Sequence, residues 1–249
     1  MSRLVGKVAL ITGASRGIGK AIAQAFCREG ASVVICSRKQ ETLEATAREF
    51  PPERVLALAC HVGRLEELEY LVGRARATFG RIDVLVNNAA TNIAFGPCLE
   101  MDDAQFDKMV EVNLKSAFRL VRLVAPEMCA RRSGVILNVA STSGLRPQPH
   151  AMLYSMTKAA LIMMTKSWAL ELGPSGVRVN AIAPGLIQTR FSEYYWKEPE
   201  RLARYLGSQP LGRVGRPEEV AEIAVLLASD QSSYMTGEVV VVDGGLLVS

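Results

Sequence analysis

Two histidines, two tryptophans and an odd five cysteines are all that this 249-residue chain offers of several residue types that hold metals or staple small domains. Cys27, Cys36, Cys60, Cys98 and Cys129 are scattered, without a C-x-x-C pair. That pattern excludes a disulfide scaffold and argues against a zinc site, so no metal is expected and the thiols read as reduced and mostly buried. Neither sign of charge dominates, with 29 basic against 25 acidic residues and a net charge of +4. Arginine pairs such as Arg74/Arg76 and Arg131/Arg132 therefore read as solvated helix faces, and no nucleic-acid partner is expected. No apolar run reaches the roughly 20 residues that span a bilayer. The opening MSRLVGKVALITG lacks a signal-peptide layout, so a cytoplasmic protein without a membrane partner is the expectation.

What the chain does have is alternation. Apolar runs at 8–11, 32–36, 55–60, 82–86, 134–139, 177–183 and 238–242 read as seven strands. Between them apolar residues recur at helical spacing, as in Ile18, Ala21, Ile22, Ala25 and Phe26, or Leu65, Leu68, Val72, Ala75 and Phe79. One long amphipathic helix is expected from about Phe106 to Met128, and another over 151–172. Continuous apolar strands alternating with helices call for a parallel sheet covered on both faces. The expected fold is α/β: a single doubly wound Rossmann-type domain over 1–249, with a seven-stranded parallel sheet. Only 186–212 breaks the alternation. Ligands of such folds bind outside the carboxyl ends of the strands, so an insertion after the sixth strand falls where a substrate lid would be useful.

Thr12-Gly-Ala-Ser-Arg-Gly-Ile-Gly19 joins the first strand to the first helix. Its glycines, Gly13, Gly17 and Gly19, let backbone approach a pyrophosphate, and the helix behind them offers free N–H groups. The second strand ends Cys36-Ser37-Arg38-Lys39, with no carboxylate to bind a ribose 2′-hydroxyl. Arg38 can instead grip a 2′-phosphate, with Ser37 adding a hydrogen bond and Arg16 on the same side. NADP is therefore expected over NAD. Further on, Tyr154 and Lys158 stand at i, i+4 on one helix face. A neighbouring ammonium favours the phenolate, so the pair reads as a lysine-tuned proton donor or acceptor for a substrate oxygen.

Taken together, TGASRGIG, Asn87-Asn88-Ala89-Ala90, Asn113, Ser141, Tyr154/Lys158 and Pro184-Gly185 resemble the short-chain dehydrogenase/reductase family over about residues 5–245. The likeness is greatest to its NADP-dependent carbonyl reductase and retinol dehydrogenase branch, through Cys36-Ser-Arg-Lys-Gln40, Cys60-His-Val62, Pro184-Gly-Leu-Ile187 and Trp196. The resemblance implies that Ser141 hydrogen-bonds the substrate oxygen and that Tyr154 is the acid in reduction and the base in oxidation. It implies that Lys158 holds the nicotinamide ribose, and that Asn113 kinks the long helix and holds a water. Gly13, Ser15, Arg16, Gly17, Ile18, Gly19, Ser37 and Arg38 would bind the phosphate and ribose side of the cofactor. His61, Val62, Asn87, Asn88, Ala89 and Ala90 match positions beside the adenosine half, and Pro184, Gly185, Ile187 and Thr189 positions beside the nicotinamide. Two residues depart from the family pattern: His61 stands for an aspartate and Ala90 for a glycine.

The expected reaction is reversible hydride transfer between nicotinamide and a ketone, aldehyde or secondary alcohol. Leu145, Met152, Tyr195 and Trp196, with Ser141 and Tyr154, are the expected substrate contacts, and the aromatic 191–205 stretch favours an apolar or aromatic substrate. His150 is read as a solvated helix start. A rival is a 3-oxoacyl-[acyl-carrier-protein] reductase, for which Arg132 matches one carrier-docking position while Ser175 fails the other. A catalytically silent NADP-binding regulator is the rival from outside enzymes. The resemblance implies a homotetramer; the apolar helix faces alone call for an oligomer.

Overall fold

The computed structural model describes residues 2–248. Seven strands form one sheet: β1 Val8–Thr12, β2 Ser32–Ser37, β3 Val55–Ala59, β4 Val84–Asn87, β5 Gly134–Val139, β6 Val177–Pro184 and β7 Val239–Val242. Their order is β3-β2-β1-β4-β5-β6-β7, every pair parallel. The order reverses between β1 and β4, and that reversal opens the crevice in which such sheets bind ligands. Wholly buried strands such as β1 and β5 explain why their sequences are continuously apolar.

Helices α1 Gly17–Arg28 and α9 Pro217–Ala228 pack on one face. There Ile22, Phe26, Val220 and Ala224 bury against β1, β2 and β5. On the other face lie α3 Leu65–Phe79 and α5 Ser116–Ala130, through Leu68, Leu71, Leu120 and Val124. Between them in the chain come the short α2 Gln40–Ala47 and α4 Asp103–Val110. The long amphipathic helix is interrupted at Asn113, where the family resemblance implied a kink. It is α4, a π-helical turn Glu111–Lys115, then α5. Apolar periodicity alone does not reveal the break, because one inserted residue shifts the apolar stripe by only about 100° and the flanking runs are short.

Helix α6, Met152–Leu172, packs on β6 and on the turn Thr142–Gly144 that follows β5. The contact is so close that a Cβ on Gly144 would lie 2.6 Å from the backbone carbon of Lys158. The 186–212 stretch forms two short helices, α7 Glu193–Trp196 and α8 Pro199–Leu206. No helix is long and apolar enough to cross a membrane among the described residues.

Replacing Gly144 by Ala forces this backbone contact apart and should cost about 1–3 kcal/mol of stability. Gly73, in mid-helix α3 with nothing within 4 Å of its would-be Cβ, should gain about 0.5–1 kcal/mol on becoming Ala. Urea unfolding of the two variants against the parent checks both signs.

Candidate active site

Ser141 leaves β5 at the carboxyl edge of the sheet, and Tyr154 and Lys158 occupy the first two turns of α6 beside it. The Ser141 Oγ accepts the Ser143 backbone N–H at 3.1 Å, which turns the hydroxyl proton outward, and Ser141 and Tyr154 share a hydrogen bond. Lys158 is buried, its Nζ donating to the Val139 carbonyl at 2.7 Å and lying 5.6 Å from the centre of the Tyr154 ring. The serine, the phenol and the ammonium thus converge, the last two as their helical spacing suggested and the serine as the family resemblance implied.

The electrostatics run the other way from that expectation. Burial pushes the Tyr154 phenol up to about 12; its hydrogen bond with Ser141 pulls it down by less. Burial also pulls Lys158 down to about 8. Loss of water disfavours both charged forms, and for the phenol it outweighs the Ser141 hydrogen bond. The phenol is therefore held as an acid.

Asn113 sits in the π-turn. Its Nδ2 donates to the Thr91 carbonyl at 2.9 Å and to Thr157 Oγ1 at 3.1 Å, and its Oδ1 accepts the Thr91 N–H at 2.8 Å. Both donor hydrogens are engaged, so the side chain fastens the loop after β4 to α6.

Thr12, at the end of β1, clamps the phosphate loop. Its Oγ1 accepts the N–H groups of Asn88 and Ala89, each at 3.0 Å. Asn88 Nδ2 in turn donates to the Thr12 carbonyl at 2.7 Å. A Cβ on Gly19 would lie 2.4 Å from that Nδ2, so glycine is required there by packing. Gly13 and Gly17 have φ of +65° and +57°, the left-handed region glycine favours. Helix α1 starts with no capping side chain and no acidic residue in its first turn, leaving N–H groups free for an anion. Ser37 Oγ is buried without a partner, while Arg16, Arg38 and Lys39 are exposed without an ion pair among the described residues. An orphaned hydroxyl beside unpaired guanidinium groups fits a phosphorylated dinucleotide. Ser15 and Ile18 complete the loop, half-buried.

His61 follows β3, with its Nδ1 accepting the Gly63 N–H at 3.1 Å and its Nε2 3.4 Å from Lys108 Nζ. Val62 beside it is buried. Asn87 does not face outward: its Nδ2 donates to Asn138 Oδ1 at 2.8 Å inside the sheet. Ala90 is not among the residues of positive φ, so its methyl strains no backbone. Past β6, Pro184 ends the strand, Gly185 packs on Asp243, Ile187 is buried, and Thr189 Cγ2 lies over Gly17.

The expected substrate contacts fall into two groups. Phe191 lies 5.8 Å from the Tyr154 ring, and Trp196 Nε1 donates to the Thr189 carbonyl at 3.0 Å, fixing the segment that carries Tyr195. Leu145 and Met152 instead line a cavity of about 790 Å³ with Ser143, Gln148, His150 and Met156. That cavity borders a different face of α6 from Tyr154. Thr12, Thr157 and Phe95 were missed as site residues. Phe95 stacks 4.6 Å from Tyr194, but it lies in an irregular loop with no periodicity to mark it.

Comparison with known proteins accords with this geometry. Residues 13–247 match the family model described as enoyl-(acyl carrier protein) reductase. The chain is 42% identical to the *Bos taurus* dehydrogenase/reductase SDR family member 4 over 98% of its own length and 88% of the relative's. It is also 42% identical to the *Thermotoga maritima* 3-oxoacyl-[acyl-carrier-protein] reductase FabG, over 99% of this chain and 100% of that one. Among solved structures, a 7α-hydroxysteroid dehydrogenase complexed with NADH and 7-oxo glycochenodeoxycholic acid superposes with a TM-score of 0.93 at 35% identity, covering 98% of this chain and 95% of that one. With the Ser141–Tyr154–Lys158 cluster at the sheet's carboxyl edge, these matches make the chain a member of the short-chain dehydrogenase/reductase family, an oxidoreductase that acts on CH–OH and C=O groups with a nicotinamide cofactor.

Proposed function

We propose that the protein is an NADP(H)-dependent reductase of apolar or aromatic ketones and aldehydes, reversible toward secondary alcohols. The observation that carries the NADP preference is the unpartnered Ser37 hydroxyl next to the unpaired Arg38 at the end of β2, with the exposed Arg16 at the start of α1 in the neighbouring loop. A 2′-phosphate would satisfy all three groups, whereas a bare ribose would leave the guanidinium groups idle.

The bound nicotinamide supplies the hydride; the chain's own residues manage the substrate oxygen. Ser141 and Tyr154 hydrogen-bond the carbonyl oxygen, and Tyr154 protonates it as negative charge builds there. A phenol held neutral by burial is suited to this donation. Lys158 stabilises the phenolate that remains. The 186–212 segment serves as a lid whose Phe191 and Tyr195 keep water from the reacting atoms.

Phe118 on α5 and Met163 and Leu170 on α6 are exposed apolar residues, which supports an oligomer built on these helices, by resemblance a homotetramer. A cytoplasmic setting suits five unpaired cysteines. The acyl-carrier reading is weaker on this geometry. Arg132 lines a cavity with Lys7, Asp83 and Val177 at the amino ends of the strands, the opposite edge of the sheet from Tyr154. Ser175 adds no charge there.

Tyr154→Phe should lower kcat at least a thousandfold while NADPH still binds, as read by fluorescence titration. Arg38→Ala should raise the KM for NADPH about ten- to hundredfold and leave that for NADH nearly unchanged; equal loss with both would oppose the phosphate reading. The kcat/KM for reduction should hold through neutral pH and decline above about 8, where Lys158 loses its proton. The same burial predicts that stability rises between about 8 and the ordinary lysine range, since there the unfolded chain binds the extra proton. A pH titration of activity and of urea midpoints checks both limbs.

A further inference from the structure

Tyr195 has a buried phenol oxygen with no hydrogen-bond partner. Its ring lies 6.0 Å from Phe95, 5.2 Å from Tyr194 and 6.3 Å from Tyr205. Those neighbours present ring faces and edges, and none accepts its proton. Burial pushes this phenol well above its ordinary range, and the nearby phenols of Tyr194, Tyr205 and Tyr154 push it the same way. It is thus a permanent donor, close enough to Tyr154 for the two to act on each other.

Gln209 Oε1, an acceptor, is the segment's other buried polar atom without a partner, while the donors nearer Tyr195 in the chain are engaged. Trp196 Nε1 donates to Thr189, Ser192 Oγ donates to the Ile187 carbonyl, and the Tyr205 phenol is hydrogen-bonded at the Leu186 backbone. A buried donor left empty is unfavourable, and packing alone would have been served as well by phenylalanine. The empty donor marks where an acceptor is missing.

We infer that Tyr195 is a specificity-determining residue that donates its phenol hydrogen bond to a second oxygen on the substrate, so that the enzyme favours carbonyl compounds carrying an ether, hydroxyl or carbonyl oxygen beyond the reacting one. This rests on the carbonyl-reductase reading above. A substrate bound between Tyr154 and this cluster meets the Tyr195 hydroxyl, and only one bearing an acceptor supplies the missing bond. A site built to donate discriminates against the analogue lacking the acceptor, because its own polar group is then left unpaired.

The test compares isosteric ketones that differ by one oxygen for one methylene, in wild type and Tyr195→Phe. One pair places the oxygen near the carbonyl: benzyloxyacetone against phenylpropyl methyl ketone. The other places it far away: para-methoxybenzylacetone against para-ethylbenzylacetone. Intrinsic electrophilicity cancels when each ether-to-hydrocarbon ratio of kcat/KM is compared between the two proteins. In at least one pair that ratio should fall about ten- to a hundredfold in Tyr195→Phe, with thermal stability equal to or above wild type. Unchanged ratios in both pairs, with all four ketones reduced, would overturn the role of Tyr195 and leave the carbonyl-reductase reading standing. Failure of wild type to oxidise NADPH with any of the four would overturn both.

Discussion

Desolvation of one phenol and one ammonium governs this site. Tyr154 and Lys158 stand a helical turn apart where α6 meets the ends of β5 and β6, and burial drives both toward their uncharged forms. A surface pair of this spacing would titrate near its ordinary values and do little chemistry. Partly buried beside Ser141, the phenol stays protonated, the fully buried ammonium sits on a backbone carbonyl, and both respond to any charge brought beside them. The local architecture maintains that burial: Gly144 lets the post-β5 turn lie directly on α6, and Phe191 covers the phenol from the other side.

Holding this pair in register with a cofactor falls to short polar contacts at the sheet's carboxyl edge. Thr12 ties the phosphate loop to the end of β4, and Asn113 ties the loop after β4 to the helix bearing Tyr154. Asn138 links Asn87 on β4 to Thr165 on α6 through the sheet. Each replaces water at a buried backbone or side-chain group, so each is costly to break. Together they form a continuous line from the glycine loop after β1 to the helix that carries Tyr154 and Lys158.

The alternation of strands and helices was legible because a parallel sheet buried on both faces demands unbroken apolar runs, and β1, β2, β4 and β5 supply them. Ser141, Tyr154 and Lys158 were legible because helical spacing and a fixed separation along the chain carry their geometry. The break at Asn113 was legible only through the family resemblance, since the apolar pattern by itself reads as one helix. The direction of the Tyr154 shift was hidden: spacing reveals that a lysine is near, but not how much water has been excluded. Leu145 and Met152 stand near Tyr154 in sequence yet line a cavity that Tyr154 does not: Leu145 belongs to the turn after β5, and Met152, two residues before Tyr154 on α6, points nearly the opposite way. Phe95 joins the aromatic cluster from a loop whose sequence carries no periodic signal.

Burial makes Tyr154 an acid poised to change when charge arrives. The direct measurement is ultraviolet difference titration of wild type against Tyr154→Phe, alone and with NADP⁺, whose nicotinamide ring carries a positive charge. The account predicts a tyrosine that titrates at about 12 in the protein alone and markedly lower once NADP⁺ is bound. A phenol that titrates at the ordinary value of about 10 in both conditions would contradict it.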